Sequence, residues 1–131
     1  MTQMLQDRVR RMVADRSIVV EVNPSSNLLI GHLVDLASHP LWRLAPPTGS
    51  DLGAPPVRVT IGSDDPVTFA TTLPDEYQLV ADALSAAGVT GPQVDLWVSA
   101  AQRCGLMSRF TVARSGVPIE QPTCFGPPAP L

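Results

Sequence analysis

The stretch VRVTIGSDDPVTFATTLPDEY, residues 57–77, decides how this chain folds. Val57-Arg58-Val59-Thr60-Ile61 is short and rich in β-branched residues, which predicts a strand. Gly62-Ser63-Asp64-Asp65-Pro66 breaks the run with turn formers. A helix is then predicted from about Pro74 to Ala87. Thr72 with Asp75 three residues later has the form of a capping box, Pro74 sits in the first turn, and Gly88 is placed to stop the helix. A strand therefore runs through a loop into a helix. Two adjacent carboxylates, Asp64 and Asp65, stand where the strand ends. Spacing alone leaves their role open, because Asp-Pro marks turns and aspartate caps helices.

Upstream, Ile18-Val19-Val20-Glu21-Val22 predicts a second strand, followed by the turn formers Asn23-Pro24-Ser25-Ser26-Asn27, read as a loop. Its near-continuous apolar run suits a strand covered on both faces, as in a parallel sheet. A first helix is expected over Leu5 to Asp15, with Leu5, Val9, Met12 and Val13 as its apolar stripe and Arg8, Arg10 and Arg11 on its other sides. Leu28 to Leu44 is read as short helical pieces interrupted at Gly31 and His39-Pro40, with Pro40 starting the last. Ala45 to Pro56 is a Pro/Gly-rich loop. A final helix is expected over about Gln93 to Met107, with Val94, Trp97, Val98 and Ala101 on one stripe. The tail from Gly116 to Leu131 is proline-rich, and no packed structure is expected there.

The order helix, strand, helix, strand, helix, helix implies parallel strands joined by crossover helices. Two strands cannot close a barrel or make a stable sheet alone. A complete (β/α)8 barrel takes about 250 residues, against 131 here. In such a barrel the carboxyl ends of the strands form the active-site face, which is where Asp64 and Asp65 fall.

The bulk properties narrow the function. Formal net charge is −3 and pI about 5.1. No basic stripe is present to displace counterions, which argues against duplex nucleic-acid binding. No segment approaches the roughly 20 apolar residues that span a bilayer, and the charged N-terminus has no signal-peptide character. Cys104 and Cys124 form no CxxC motif, so a cytoplasmic setting is expected. Mean hydropathy of +0.14 is apolar for a free-standing domain. Part of the surface is expected to meet a partner.

Several anchors in register carry a family resemblance. Asp64-Asp65-Pro66, Phe69, Thr72-Leu73 and Glu76-Tyr77 resemble the last strand and loop of the adenosine/AMP deaminase family of the amidohydrolase superfamily. Val19 to Val22 with Asn23-Pro24-Ser25-Ser26-Asn27 resembles that family's seventh strand and its Pro-x-Ser-Asn loop. His39-Pro40-Leu41-Trp42-Arg43-Leu44 resembles the element that follows. The resemblance covers about Val9 to Phe110.

It implies an α/β fold in which residues 1–115 form the C-terminal part of a (β/α)8 TIM-type barrel, about strands 7 and 8, incomplete on its own. Residues 116–131 would be a disordered tail. It also implies a zinc-dependent hydrolytic deaminase for adenosine or a related aminopurine, with Asp64 as a zinc ligand and Asp65 bonded to a purine ring nitrogen. The family's His-x-His pair, fifth- and sixth-strand histidines and proton-donating glutamate have no counterparts in this sequence, and Gly62 stands where the family often has asparagine. The implied partners are a purine nucleoside or nucleotide and either a missing barrel half or a second copy. The isolated chain is expected to be inactive, and a non-catalytic remnant or interaction module is the alternative. No catalytic residue is assigned. His39 is expected to orient a loop, His32 to lie at the surface or in packing, Glu21 to pair with an arginine or line the site, Trp42 and Trp97 to sit in the core, and Cys104 to be buried.

Overall fold

The computed structural model describes residues 2–47 and 55–109. Its two strands, β1 (Val19–Val22) and β2 (Arg58–Ile61), pair in parallel, with Val19 opposite Arg58 and Val22 opposite Ile61. Parallel pairing requires a crossover, supplied here by α2 (Pro24–Ile30), a 3-10 turn (Leu36–Ser38) and α3 (Leu41–Leu44). Side chains alternate along a strand. Val20, Val22, Val59 and Ile61 therefore share one face, and Glu21 and Thr60 share the other. Val22, Val59 and Ile61 are buried with Leu36, Leu41, Val80, Leu84, Val94 and Trp97 in one core. Thr60 is buried as well, so β2 is covered on both faces, whereas Glu21 of β1 is exposed. The mixed α/β, parallel reading of the sequence holds.

Helix α5 (Leu73–Ala86) begins and ends as its sequence dictates. Asp75 Oδ2 accepts hydrogen bonds from the Thr72 N–H (2.9 Å) and hydroxyl (2.6 Å). At the other end Gly88 adopts φ +84°. Its N–H donates to Ser85 O, and the Val89 N–H donates to Leu84 O. This is a Schellman stop, which requires a residue in the left-handed region. Helix α6 (Gly91–Met107) opens with a second capping box, Thr90 with Gln93.

The α6 stripe packs as expected. Val94, Trp97 and Ala101 are buried, and the Trp97 indole N–H donates to Ala45 O at 2.9 Å. The Trp42 and Trp97 rings stand 5.7 Å apart, tilted by 58°, a favourable aromatic geometry. Both tryptophans thus serve the core. Cys104 is buried on the same helix. A side chain at Gly105 would place its Cβ 2.6 Å from Thr60 Oγ1, so this glycine lets α6 approach β2 closely.

Three features differ from the sequence reading. The turn formers after β1 enter α2 directly, with Pro24 in its first turn. After β2, Pro66–Phe69 forms a helical turn, α4, again entered through proline. Asn-Pro and Asp-Pro were ambiguous because proline's fixed φ suits both a turn and a first helical position. The third difference concerns α1 (Thr2–Asp15). Its stripe residues Leu5, Val9 and Met12 are exposed, while Arg10 is buried and donates from Nη1 to Arg43 O at 2.7 Å. Arginine can bury its stem and satisfy its head on a carbonyl.

Residues 48–54 of the Pro/Gly loop, the tail 116–131 and Cys124 lie outside the described residues. Among the described residues no helix is long and apolar enough to cross a membrane.

Candidate active site

Because β1 and β2 run the same way, the segments after them leave from one edge of the sheet. Gly62 extends the ladder past β2 by donating its N–H to Val22 O at 2.9 Å. A Cβ at Gly62 would fall 2.3 Å from Asn23 Oδ1 and 3.1 Å from the Glu21 carboxyl group. Asn23 fills the space beside residue 62, which accounts for glycine there.

Asp64 follows with φ +54°. The left-handed region costs most L-residues roughly 1–2 kcal/mol, and aspartate is among those that visit it. Ser26, 3% exposed, donates its hydroxyl to Asp64 Oδ2 at 2.6 Å. This bond ties the segment after β1 to the segment after β2 across 38 residues of sequence. The structure thus places Asp64 at the shared edge with one oxygen held.

Asp65 caps α4. Its Oδ1 accepts from the Val67 N–H at 2.9 Å and its Oδ2 from the Thr68 hydroxyl. The Thr68 and Val67 hydrogen bonds hold its carboxyl below the ordinary aspartate range. Asp65 is therefore ionised at neutral pH and acts only as an acceptor. The capping role anticipated for an Asp-Pro aspartate is real. A carboxylate has about four lone-pair sites, so two bonds leave room for a ligand N–H.

His39 orients a loop, as expected. Its Nδ1 accepts from the Leu41 N–H at 2.9 Å, which places the ring proton on Nε2, 3.3 Å from Asn27 Oδ1. Burial holds its pKa below the usual histidine value. A base with a lowered folded pKa contributes stability that is complete above its unfolded pKa of about 6.5. That contribution is lost as pH falls from there toward the folded value. His39→Asn, whose Oδ1 can accept the same N–H, is expected to flatten this segment of the stability profile, measured by urea denaturation between pH 5 and 7.5. His32 is exposed at the end of α2 with φ +50° and belongs to a helix stop.

Sequence reasoning assigned no role to Ser26 or Glu76. Glu76 is 1% exposed. Its Oε1 accepts from the Thr71 hydroxyl at 2.9 Å and its Oε2 from the Ser25 N–H at 3.0 Å. A signal was present: Glu76, Val80 and Leu84 fall four apart on one helix face, so a carboxylate heads a buried stripe.

Glu21 lines, with Thr60, Tyr77 and Gly105, a cavity of about 950 Å³. No ion pair holds it among the described residues. Burial raises the Tyr77 pKa, opposed by hydrogen bonds to Ile61 and Thr60. Asp64 and Asp65 are not among the residues that line it. Among the described residues no three His, Cys, Asp or Glu side chains gather as a metal site.

The described chain is thus a mixed α/β unit of two parallel strands with Asp64 and Asp65 just past the carboxyl end of the second. The family model described as Adenosine deaminase matches residues 2–93, and the chain belongs to the adenosine deaminase family. It is 45% identical over 89 residues to an adenine deaminase of Rhizobium leguminosarum bv. trifolii, covering 68% of this chain and 24% of that protein. It is 49% identical over 75 residues to an adenine deaminase of Rhizobium johnstonii, covering 57% and 20%. An aminodeoxyfutalosine deaminase of Acidothermus cellulolyticus is 39% identical over 90 residues, covering 64% and 23%. The chain spans about a quarter of the length of the curated relatives it matches. No solved structure matches it at comparable significance.

Proposed function

We propose that this chain forms the last part of a (β/α)8 barrel, around strands 7 and 8, in a zinc-dependent hydrolytic deaminase acting on an aminopurine. The observation that carries the reading is the Asp64–Asp65 pair on the shared carboxyl edge, with Asp64 held by Ser26. The names of the relatives shift the substrate expectation from adenosine toward the free base adenine. The reaction would replace the ring amino group with oxygen from water and release ammonia.

The residues divide the work as follows. Ser26 binds one oxygen of Asp64, and no described residue bonds the other, which is free to accept a cation. Asp65, ionised at neutral pH, accepts a hydrogen bond from a ring N–H and orients the base. Zinc, when bound, lowers the pKa of a water toward neutrality. A catalytic zinc needs three protein ligands, and Asp64 is one. His39 is committed to the Leu41 N–H, and His32 stands on a helix end. The described residues alone do not fit the metal. The remaining ligands and the proton donor would come from the rest of a barrel or from a second copy.

A non-catalytic interaction module is the second reading. The exposed Leu5, Val9 and Met12 stripe on α1 favours it. A graft separates the two. Residues 2–93 replace the matching segment of the Rhizobium leguminosarum adenine deaminase. Ammonia release from adenine with bound zinc is expected of a deaminase segment. A folded graft with no zinc and no turnover supports the interaction module.

A further inference from the structure

Glu76 is the most deeply buried charged side chain among the described residues, 1% exposed against 8% for Arg10. Taking a carboxylate out of water costs several kcal/mol unless its oxygens are bonded. Both are: Oε1 to the Thr71 hydroxyl and Oε2 to the Ser25 N–H. Glu76 also lies in the first turn of α5, where the helix dipole favours negative charge. The site is therefore built to hold a carboxylate.

The bond to Ser25 reaches the acidic edge. Asn23 precedes α2 without capping it, and Glu76 supplies the acceptor from 51 residues away. The next residue, Ser26, holds Asp64 Oδ2. Asp64 itself occupies the left-handed region, which aspartate visits at a modest cost. Thr71, Glu76, Ser25, Ser26 and Asp64 form one continuous chain of bonds from α5 to the end of β2.

We infer that Glu76 is a positioning residue for Asp64, acting through the Ser25–Ser26 backbone to hold the Ser26 hydroxyl in place. The functional weight of this inference rests on the proposed role of Asp64. The geometry it asserts does not.

The test is NMR of the 131-residue chain without metal or substrate, so its outcome is independent of the deaminase reading. Two signals are read at one pH: exchange of the Ser26 hydroxyl proton with water, and the Asp64 carboxyl carbon shift. Ser26→Ala sets the shift of a released Asp64. Glu76→Ala is expected to move the Asp64 signal to that position. It is also expected to speed Ser26 hydroxyl exchange about tenfold, the change that one hydrogen bond of ordinary net strength controls. Glu76→Gln can accept from Ser25 and donate to Thr71, so it is expected to restore both signals. A merely structural role lowers the melting temperature of Glu76→Ala but leaves both signals of the folded protein unchanged, and that result overturns the inference. If Glu76→Ala does not fold, Thr71→Val removes one of the two restraints. It is expected to shift the same signals in the same direction, and unchanged signals there overturn the inference equally.

Discussion

Trp97→Ala is expected to destabilise the chain by about 3–5 kcal/mol, the range for removing a buried tryptophan from a packed core. Folded domains hold only about 5–15 kcal/mol in total, so the loss takes a large share of the stability available. Three losses coincide. The indole is 3% exposed and joins α6 to the core. Its N–H satisfies Ala45 O at 2.9 Å, which would be left without that donor. Its ring also packs against Trp42 at 5.7 Å. Trp97→Phe keeps most of the area but not the hydrogen bond, and is expected to fall between the two. Urea denaturation followed by far-ultraviolet circular dichroism measures both. A cost below about 1 kcal/mol for Trp97→Ala would show that α6 does not complete the core.

Gly62→Ala is expected to cost about 1–3 kcal/mol, the range for inserting a group into filled space. Its Cβ would collide with Asn23 Oδ1 at 2.3 Å. Asn23 Oδ1 is buried without a hydrogen-bond partner, so Asn23→Ala should itself cost little. In the double variant the space freed at Asn23 should accept the new methyl group and recover most of the loss. The two substitutions should therefore couple strongly in a double-mutant cycle. Additive costs would mean that the glycine is needed for some other reason. The same pair bears on the edge chemistry, because Gly62 lies two residues before Asp64.

The strands, helices α5 and α6, and the caps of α5 were legible because their signals are local; the Thr90–Gln93 box that opens α6 was not read. Thr72 with Asp75, Gly88 after Ala87, and the β-branched runs of Val19–Val22 and Arg58–Ile61 each act within a few residues. The short helices α2 and α4 were not, because the Asn-Pro and Asp-Pro that start them also start turns. Arg10 was misplaced because its burial depends on a carbonyl 33 residues away. At the edge, Asp64 and Asp65 could be singled out from their motif. Ser26 on Asp64 and Glu76 on Ser25 could not, since those contacts span 38 and 51 residues and exist only once the parallel register is set.

Asp64 as the chain's contribution to a zinc deaminase site is the central claim, and its most direct test is Asp64→Ala in the graft of residues 2–93 into the Rhizobium leguminosarum adenine deaminase. Zinc content and adenine-dependent ammonia release are measured together on the folded protein. A ligand should matter at least as much as the outer partners of a metal site, whose loss costs about 10–100-fold. A fall in rate of about 100-fold or more, with loss of zinc, is expected. Unchanged zinc and an unchanged rate in the Asp64→Ala graft would contradict the assignment.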